Sequence, residues 1–210
     1  MGLFITLEGV EGCGKTTQAA RLADLLQGRG RSVVALREPG GTDLGEKVRS
    51  LLLRPGRGSP VPWAELFLYE AARAQLVEEV IRPALASESV VICDRFVDST
   101  LAYQCYGRGL DARTVECVNR VASAGIVPDV TVLIDCPPEV GLSRARSRNR
   151  EAGAAEDRLE GEDLDFHRRV RDGYLALARS DTKRIRVVDG TGPQDVVFDE
   201  IRAIIDTLVL

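Results

Sequence analysis

The stretch Gly9-Val10-Glu11-Gly12-Cys13-Gly14-Lys15-Thr16 decides the fold of this chain. It matches the pattern G-x-x-x-x-G-K-[ST], in which a glycine-rich backbone wraps around phosphate oxygens. An apolar run at 3–8 precedes it, and residues 15–26 follow with the spacing of an amphipathic helix. Strand, loop and helix in this order are the context that the pattern requires, and a chance match in a turn would lack it. We call residues 9–16 the glycine loop.

The residue types of the glycine loop indicate binding of a nucleoside triphosphate. Its glycines let backbone N–H groups turn toward phosphate oxygens, and the helix that begins at Lys15 adds the positive end of its dipole. Lys15 is expected to reach the β and γ phosphates, and the Thr16 hydroxyl is expected to bind Mg²⁺. The predicted nucleotide-binding residues are Gly9, Val10, Glu11, Gly12, Cys13, Gly14, Lys15, Thr16 and Thr17.

Strand-like runs alternate with helix-period segments along the rest of the chain. The predicted strands are 3–8, 32–36, 90–93, 130–135 and 185–188. They are rich in Val, Ile and Leu with little polar alternation, which is typical of parallel strands covered by helices on both faces. Val197, Ile201 and Ile205 have the spacing of one helical face and predict a last helix. The pattern predicts a three-layer α/β/α fold.

The composition of the 210 residues excludes several classes of protein. Hydrophobic residues make up 44% and charged residues 29% of the chain, which is ordinary globular usage. The net charge of −4 predicts no nucleic-acid partner, and no apolar run approaches the ~20 residues that cross a bilayer. Because the N-terminus has no basic region followed by an apolar leader, we expect a cytoplasmic protein without a membrane partner.

The cysteines and the histidine predict neither a metal centre nor a nucleophilic triad. The five cysteines have no metal-ligand spacing, so we expect reduced thiols that are mostly buried. They are Cys13, Cys93, Cys105, Cys117 and Cys136. The single histidine, His167, lies in an arginine-rich stretch and is expected to be solvated rather than catalytic.

A second candidate site, Asp94-Arg95-Phe96, follows the third predicted strand. Side chains at this point emerge at the carboxyl edge of the sheet, where ligands bind in open α/β folds. Asp94 is expected to organise Mg²⁺, and Arg95 to hold a substrate phosphate with two hydrogen bonds. A surface Asp–Arg pair would give the same dipeptide, so spacing alone leaves both interpretations open. The guanine-reading N-K-x-D pattern of switch GTPases is absent from the sequence.

Three further segments complete a family pattern. They are Arg37-Glu38-Pro39-Gly40-Gly41-Thr42, Phe67-Leu68-Tyr69-Glu70-Ala71-Ala72-Arg73 and Asp98-Ser99-Thr100-Leu101-Ala102-Tyr103-Gln104. With the glycine loop, they make the chain resemble the bacterial-type thymidylate kinase family of nucleoside monophosphate kinases. The resemblance runs through the last helix. It implies a P-loop kinase fold with a five-stranded parallel sheet and a mobile lid, ATP with Mg²⁺ as phosphoryl donor, and dTMP as acceptor.

The resemblance implies roles for residues at the base end of the acceptor site. Phe67 is similar to the ring that stacks on thymine, and Arg73 is similar to the donor to a thymine carbonyl. Ser99, Thr100 and Gln104 resemble polar residues that read the base. The spacing of Phe67 also fits a residue that packs in the core, and without the resemblance both interpretations stay open.

At the phosphate end, the resemblance implies a clamp and an acid. Arg37 and Arg95 are similar to the residues that hold the monophosphate, and Tyr103 is similar to the residue that crowds a ribose 2′-hydroxyl. Glu11 takes the place of an acid near the sugar 3′-hydroxyl and the reacting phosphate.

The lid implied by the resemblance falls at about residues 147–163. Some family members carry an arginine at the position of Gly12, whereas the bacterial type supplies arginines from the lid. On a helix, Arg144 and Arg148 share one face, while the alternating Arg146 and Arg150 share the other. All four cannot converge from one regular helix, so we expect one pair, or Arg158, to reach the phosphates after closure, and we choose Arg148 and Arg158. A charged surface loop is the alternative.

The sequence therefore predicts one domain, residues 1–210, that transfers a phosphoryl group from ATP to dTMP in dTTP biosynthesis. The expected catalytic residues are Lys15, Arg95, Glu11, Arg148 and Arg158. Two alternatives stay open: a kinase for another nucleoside or nucleoside monophosphate, and a non-catalytic ATP-dependent adaptor. The resemblance also implies a homodimer.

Overall fold

A parallel sheet organises the structure, a computed structural model that describes residues 2–54, 59–153 and 157–209. The strands are β1 Leu3–Glu8, β2 Val33–Arg37, β3 Val90–Asp94, β4 Val130–Asp135 and β5 Ile185–Asp189. Their order across the sheet is β2-β3-β1-β4-β5, and every pairing is parallel. Each strand is therefore joined to the next by a crossover that contains a helix.

The helices fill these crossovers. They are α1 Lys15–Gly28, α2 Asp43–Leu53, α3 Pro62–Leu76, α4 Arg82–Ala86, α5 Val97–Thr100, α6 Ala112–Ala122, α7 Pro138–Ala152, α8 Leu164–Ser180 and α9 Gln194–Val209. A π-helical turn at Val77–Ile81 joins α3 to α4, and a second π-helical segment at Leu101–Gly107 continues α5. Within the described ranges, no helix has the length and apolar character needed to span a membrane.

Side chains of β1 alternate between two apolar cores, one on each face of the sheet. Ile5 and Leu7 pack in the larger core, which α1, α8 and α9 cover. Phe4 points to the other face, where its ring meets Phe96 edge-on at 4.9 Å between centroids. Helices therefore cover both faces, and the predicted three-layer α/β/α architecture is confirmed.

Each strand ends on a charged residue at the same edge of the sheet. In strand order these residues are Glu8, Arg37, Asp94, Asp135 and Asp189. Apolar strands bury their length between two layers of helices, whereas their carboxyl ends open toward the loops that bind ligands. The candidate site therefore lies at this edge.

Most element boundaries agree with the sequence to within one or two residues. All five predicted strands exist, and β1 and β4 have the predicted bounds. Within the predicted lid, 147–163, α7 continues as a regular helix to Ala152. Residues 154–156 of that segment lie outside the described residues. The cysteines are free, and Cys117 alone among them is exposed.

Candidate active site

The glycine loop joins β1 to α1 at the centre of the sheet edge. Gly14 caps α1 with φ of 102°, a backbone conformation that favours glycine. Lys15 begins α1, and its Nζ donates to the Val10 carbonyl at 2.8 Å and lies 3.5 Å from Cys13 Sγ. The lysine is 7% exposed. A buried cation and the N-terminus of a 14-residue helix thus form one anion site.

Two glycines let α7 approach the glycine loop backbone to backbone. Gly12 has φ of 68°, and a Cβ there would lie 1.9 Å from the Gly141 carbonyl oxygen. A Cβ on Gly141 would in turn lie 2.2 Å from the Glu11 carbonyl oxygen. Any side chain at Gly12 would therefore push α7 away. The loop therefore has no room for an arginine at Gly12, and Arg144 and Arg148 of α7 line the cavity beside it.

Thr16 and Asp94 meet where α1 begins and β3 ends. The Thr16 hydroxyl donates a hydrogen bond to Asp94 Oδ2. A hydroxyl and a carboxylate are hard oxygen ligands that suit Mg²⁺, whose other ligands are commonly phosphate oxygens and water. In the described part of the chain, no group of three or more His, Cys, Asp or Glu side chains is placed to hold a metal ion. The pair therefore fits a metal that arrives with a nucleotide.

Arg95 is held in a strained backbone conformation at the centre of the site. Its φ of 74° is uncommon for a residue with a side chain and often marks functional positions. Its guanidinium donates to Glu11 Oε1 at 2.8 Å and to the Gly9 carbonyl at 3.0 Å, above the Tyr103 ring. Burial alone would raise the pKa of Glu11, but the charge of Arg95 holds that pKa well below its usual range.

Glu11 also contacts two residues from other elements. The Tyr103 hydroxyl donates to its carboxylate, with oxygen–oxygen distances of 2.6 and 2.7 Å. His167 Nδ1 lies 3.5 Å from Glu11 Oε2, and His167 is fully buried. The prediction that His167 is solvated is therefore wrong. On α8, His167 shares a buried helical face with Val170 and Tyr174, which the charged residues around it obscure.

Behind Arg95 lies a buried carboxylate, Glu8, which sequence reasoning missed as a site residue. It accepts hydrogen bonds from Ser99 Oγ at 2.6 Å and from the Tyr174 hydroxyl at 2.8 Å. Burial, together with the charge of Asp98, raises the pKa of Glu8 to about 7. Ser99 is thus turned toward Glu8, and it supports Arg95, whose Nη1 lies 3.3 Å from Ser99 Oγ.

Arg73 lies in the cavity wall with its guanidinium surrounded by acceptors. It makes short ion pairs with Glu38 at 2.6 Å and Glu70 at 2.7 Å. Its other acceptors are Thr100 Oγ1, Asn119 Oδ1 and the Phe96 carbonyl. Donation to a thymine carbonyl, as the sequence predicts, therefore requires Arg73 to release one of these acceptors.

The aromatic residue of α3 that lines the cavity is Tyr69 and not Phe67. Tyr69 is half-buried and lines the cavity. Phe67 is 54% exposed, packs beside Trp63 at 6.1 Å between ring centroids, and lies outside the lining. The prediction for Phe67 is wrong because residues two apart on a helix point in nearly opposite directions. Phe67 is not a core residue either, since it faces solvent.

Two arginines line the cavity where β2 ends and α2 passes. Arg37, predicted as part of the phosphate clamp, pairs with the Glu46 carboxylate at 2.9 Å and is half-exposed. Arg49, which the sequence did not single out, also lines the cavity and donates to the Pro39 carbonyl. Burial and the nearby charge of Arg37 lower the pKa of Arg49. Two cations so close together form a good anion subsite.

The two predicted lid arginines differ in position. Arg148 lines the cavity together with Arg144, as their shared helical face predicts. Arg158 does not: its side chain is 7% exposed, donates to the Leu52 carbonyl and pairs with Glu65 at 2.5 Å. To reach the phosphates after closure, Arg158 would have to release Glu65, a buried carboxylate 93 residues away in sequence.

Most of the glycine loop, Asp94, Arg95, Arg73 and Tyr69 surround one cavity of about 870 Å³, together with arginines of α2 and α7. Of the residues singled out from the sequence, it is lined by Glu11, Gly12, Cys13, Gly14, Lys15, Thr16, Thr17, Arg37, Arg73, Asp94, Arg95, Ser99, Thr100, Tyr103, Gln104 and Arg148. Gly9 and Val10, at the start of the glycine loop, are outside the lining and accept hydrogen bonds through their carbonyl groups from Arg95 and Lys15. We call Tyr69, Arg73, Arg95 and Gln104 the acceptor wall.

The sheet order, the glycine loop after β1 and the arginines facing it across one cavity define a P-loop nucleotide kinase. A family model described as thymidylate kinase matches residues 7–201. The chain is 51% identical to a thymidylate kinase of Solidesulfovibrio magneticus over 99% of this chain and 100% of that one. It is 53% identical to one of Geotalea uraniireducens over 91% and 90% of the two chains.

A solved structure shares the fold as well. The crystal structure of thymidylate kinase from Ehrlichia chaffeensis has a TM-score of 0.79 and 33% identity, and the match covers 97% of this chain and 98% of that one. The chain belongs to the thymidylate kinase family, which phosphorylates dTMP with ATP to give dTDP. The comparisons give no support to another acceptor or to a non-catalytic adaptor.

Proposed function

We propose that phosphoryl transfer takes place directly between ATP and dTMP inside the 870 Å³ cavity. The observation that carries this proposal is that one continuous cavity joins the glycine loop to the acceptor wall. Donor and acceptor would thus share one space, as in-line displacement needs. The whole chain, 1–210, acts as one domain, with a mobile lid at about 147–163.

On the donor side, the glycine loop holds the triphosphate. Lys15 turns from the Val10 carbonyl to the transferring phosphoryl group and neutralises its oxygens. Thr16 and Asp94 would hold Mg²⁺, which would neutralise phosphate charge when bound. Arg148, on α7 beside the loop, moves from Glu160 to the same phosphates. The side chain has room to do so because it is 63% exposed.

On the acceptor side, Arg95 and Arg37 hold the monophosphate of dTMP. The strained backbone of Arg95 and its pairing with Glu11 fix the direction of its guanidinium before substrate binds. Arg37 is freer, and Arg49 beside it supplies a second cation. Glu11 stays ionised and accepts from the sugar 3′-hydroxyl, and the buried Tyr103 hydroxyl on Glu11 leaves no room for a ribose 2′-hydroxyl.

At the base end, the ring of Tyr69 stacks on thymine and contributes binding energy without selecting the base. Selection comes from the polar edge formed by Gln104, Thr100 and Arg73. Arg73 also holds this wall together through its buried ion pairs. Because thymine and uracil differ by one methyl group, worth only about 1–3 kcal/mol, dUMP is a slow substrate.

We further propose that the protein is a cytoplasmic homodimer. Trp63 and Phe67 expose aromatic rings one helical turn apart on α3. Val121 on α6, which packs against α3, is 73% exposed. Exposed apolar residues on adjacent helices favour a protein interface. Phe67 thus belongs to the dimer surface in this proposal and not to the nucleotide site.

An acceptor panel tests the reaction. The purified protein is mixed with ATP and Mg²⁺, and ADP and diphosphate products are followed with dTMP, dUMP, dCMP, AMP or no acceptor. Strong turnover with dTMP, slow turnover with dUMP and negligible turnover otherwise is the expected result. Preferred turnover of dCMP or AMP would contradict the proposed base site, and ATP binding without any product would contradict the proposed reaction.

A further inference from the structure

Glu65 is a buried carboxylate on α3 that does not line the cavity but binds a residue that does. Its Oε1 accepts from Gln104 Nε2 at 3.0 Å. Arg108 donates to both of its oxygens, each at 3.1 Å, and Arg158 donates to Oε2 at 2.5 Å. The residue is 1% exposed. A carboxylate without solvent and with three different donors has one fixed orientation.

The carboxylate of Glu65 acts only as a hydrogen-bond acceptor. Burial alone would raise its pKa, but the hydrogen bonds and charges of Arg108 and Arg158 lower that pKa below its usual range. At neutral pH the group is ionised and carries no proton to donate. Whatever faces it must therefore donate.

This requirement settles which way the amide of Gln104 points. An amide has a donor end, NH₂, and an acceptor end, the carbonyl oxygen. Because Glu65 accepts only, the NH₂ end must face Glu65, and the carbonyl oxygen must turn to the other side. Gln104 lines the cavity and is 2% exposed, so it cannot swing out into solvent. Rotating the amide by half a turn would place the Gln104 carbonyl oxygen against the Glu65 carboxylate, and both groups only accept hydrogen bonds.

We infer that Glu65 is a positioning residue that fixes the Gln104 amide so that the cavity presents a hydrogen-bond acceptor to the base. The inference rests on the proposed function, in which the base of dTMP lies against Gln104. Thymine and uracil carry an N3–H between two carbonyl groups and match this acceptor. Cytosine carries an unprotonated N3, which is itself an acceptor, and is rejected.

The variant Glu65→Gln tests this inference, because a glutamine at position 65 can donate to the Gln104 carbonyl and allow the amide to turn over. We expect the ratio of kcat/KM for dTMP to kcat/KM for dCMP to fall about tenfold or more. The ratio of kcat/KM for dTMP to kcat/KM for dUMP should stay within about twofold of its value in the parent protein, since both bases carry the N3–H. An unchanged ratio of dTMP to dCMP in a variant that still turns over dTMP would overturn the inference.

Arg108→Gln is the matched control. It removes one cation from the same buried cluster and lowers thermal stability, but it leaves the Glu65 carboxylate facing Gln104. Its ratio of dTMP to dCMP should match that of the parent protein. A shift as large as that of Glu65→Gln would mean that any damage to the cluster loosens the site, and it would overturn the inference.

Two measurements keep the inference and the proposed function apart. Gln104→Leu removes both ends of the amide. If its ratio of kcat/KM for dTMP to kcat/KM for dCMP equals that of the parent, the base does not lie against Gln104 and the proposed base site fails.

In the parent protein, ¹⁹F NMR gives the affinity for 5-fluoro-dUMP, which loses its N3 proton at mildly alkaline pH. The affinity should fall as N3 ionises, whereas an unchanged or rising affinity would overturn the inference even if Glu65→Gln does not fold.

Discussion

Arg73 and Arg148 both face the cavity, yet their surroundings are opposite. The side chain of Arg73 is 2% exposed and pairs with two buried carboxylates, Glu38 and Glu70. That of Arg148 is 63% exposed and pairs with Glu160 and with Asn149. A buried arginine with two carboxylates stays in place, because releasing it would leave charges unpaired away from water. An exposed arginine exchanges partners at little cost.

The comparison indicates that one residue type serves two purposes here. The acceptor wall is rigid before substrate binds, so the monophosphate and the base meet groups already in position. The α7 side is held firmly at Gly141 but loosely at the tip of Arg148, so its charge can follow the transferring phosphoryl group. Removal of Arg73 should mainly affect folding, and removal of Arg148 should mainly affect turnover.

Lys15 gives the largest expected effect, because it is buried like Arg73 but has no carboxylate partner. Lys15→Ala should lower kcat about a thousandfold by removing a cation from the transferring phosphoryl group. The unfolding midpoint in urea should hardly change, since its partners are a carbonyl and a thiol. The exposed Lys47→Ala is the control and should keep full activity. Near-normal turnover in Lys15→Ala would contradict the proposed mechanism.

Arg148 and Arg73 test the comparison directly. Arg148→Ala should lower kcat about a hundredfold with KM for dTMP unchanged. Its free energy of unfolding should fall by only about 1 kcal/mol, because the buried Glu160 keeps its hydrogen bonds from Asn149 and from the Asp157 N–H. Arg73→Gln should instead lower the free energy of unfolding by about 3–5 kcal/mol, because Glu38 and Glu70 lose their partner. Arg150→Ala, on the other face of α7, should change neither. Steady-state kinetics and urea titrations measure these effects, and an exchange of the two outcomes would break the comparison.

Glu8 gives a pH-dependent effect on the rigid side. Its pKa of about 7 in the folded protein exceeds the ordinary value of 4.5, so the folded state keeps a proton that the unfolded chain releases. Glu8 therefore lowers stability progressively as pH rises from about 4.5 to 7, by at most about 3 kcal/mol. Urea titrations of the parent and of Glu8→Gln between pH 5 and 8 should diverge as pH rises. If the free energies of unfolding of the two proteins changed in parallel with pH, Glu8 would have an ordinary pKa.

Tyr69 and Phe67 form the pair with the smallest expected effect. Tyr69→Leu should raise KM for dTMP about tenfold through the loss of stacking on the base. Phe67→Leu should leave KM unchanged and weaken self-association, which sedimentation measures. A rise in KM for Phe67→Leu alone would restore the role that the sequence predicts for Phe67.

Local signals account for what the sequence predicted well. The glycine loop was recognisable because its residues are contiguous and lie between an apolar run and a segment with helical spacing. The position of Asp94 at the carboxyl edge of the sheet followed from the rule that the carboxyl ends of parallel strands share one edge. Arg144 and Arg148 share a face because helical spacing requires it.

Other features depend on contacts far apart in sequence. Arg158 was placed at the phosphates because its partner, Glu65, lies 93 residues away and carries no local sign of burial. Phe67 and Tyr69 are both aromatic on one helix, and the apolar pattern did not tell which of them faces the cavity. For His167 a signal did exist: its spacing to Val170 and Tyr174 marks the buried face of α8.

The most direct test of the account is a crystal structure with a bisubstrate analogue in which adenosine and thymidine are joined through phosphates. The account predicts that Arg148 leaves Glu160 and lies against the phosphates, while Arg73 keeps Glu38 and Glu70 and Arg158 keeps Glu65. A complex in which Arg158 leaves Glu65 for the phosphates, or in which Arg148 remains on Glu160, would contradict it.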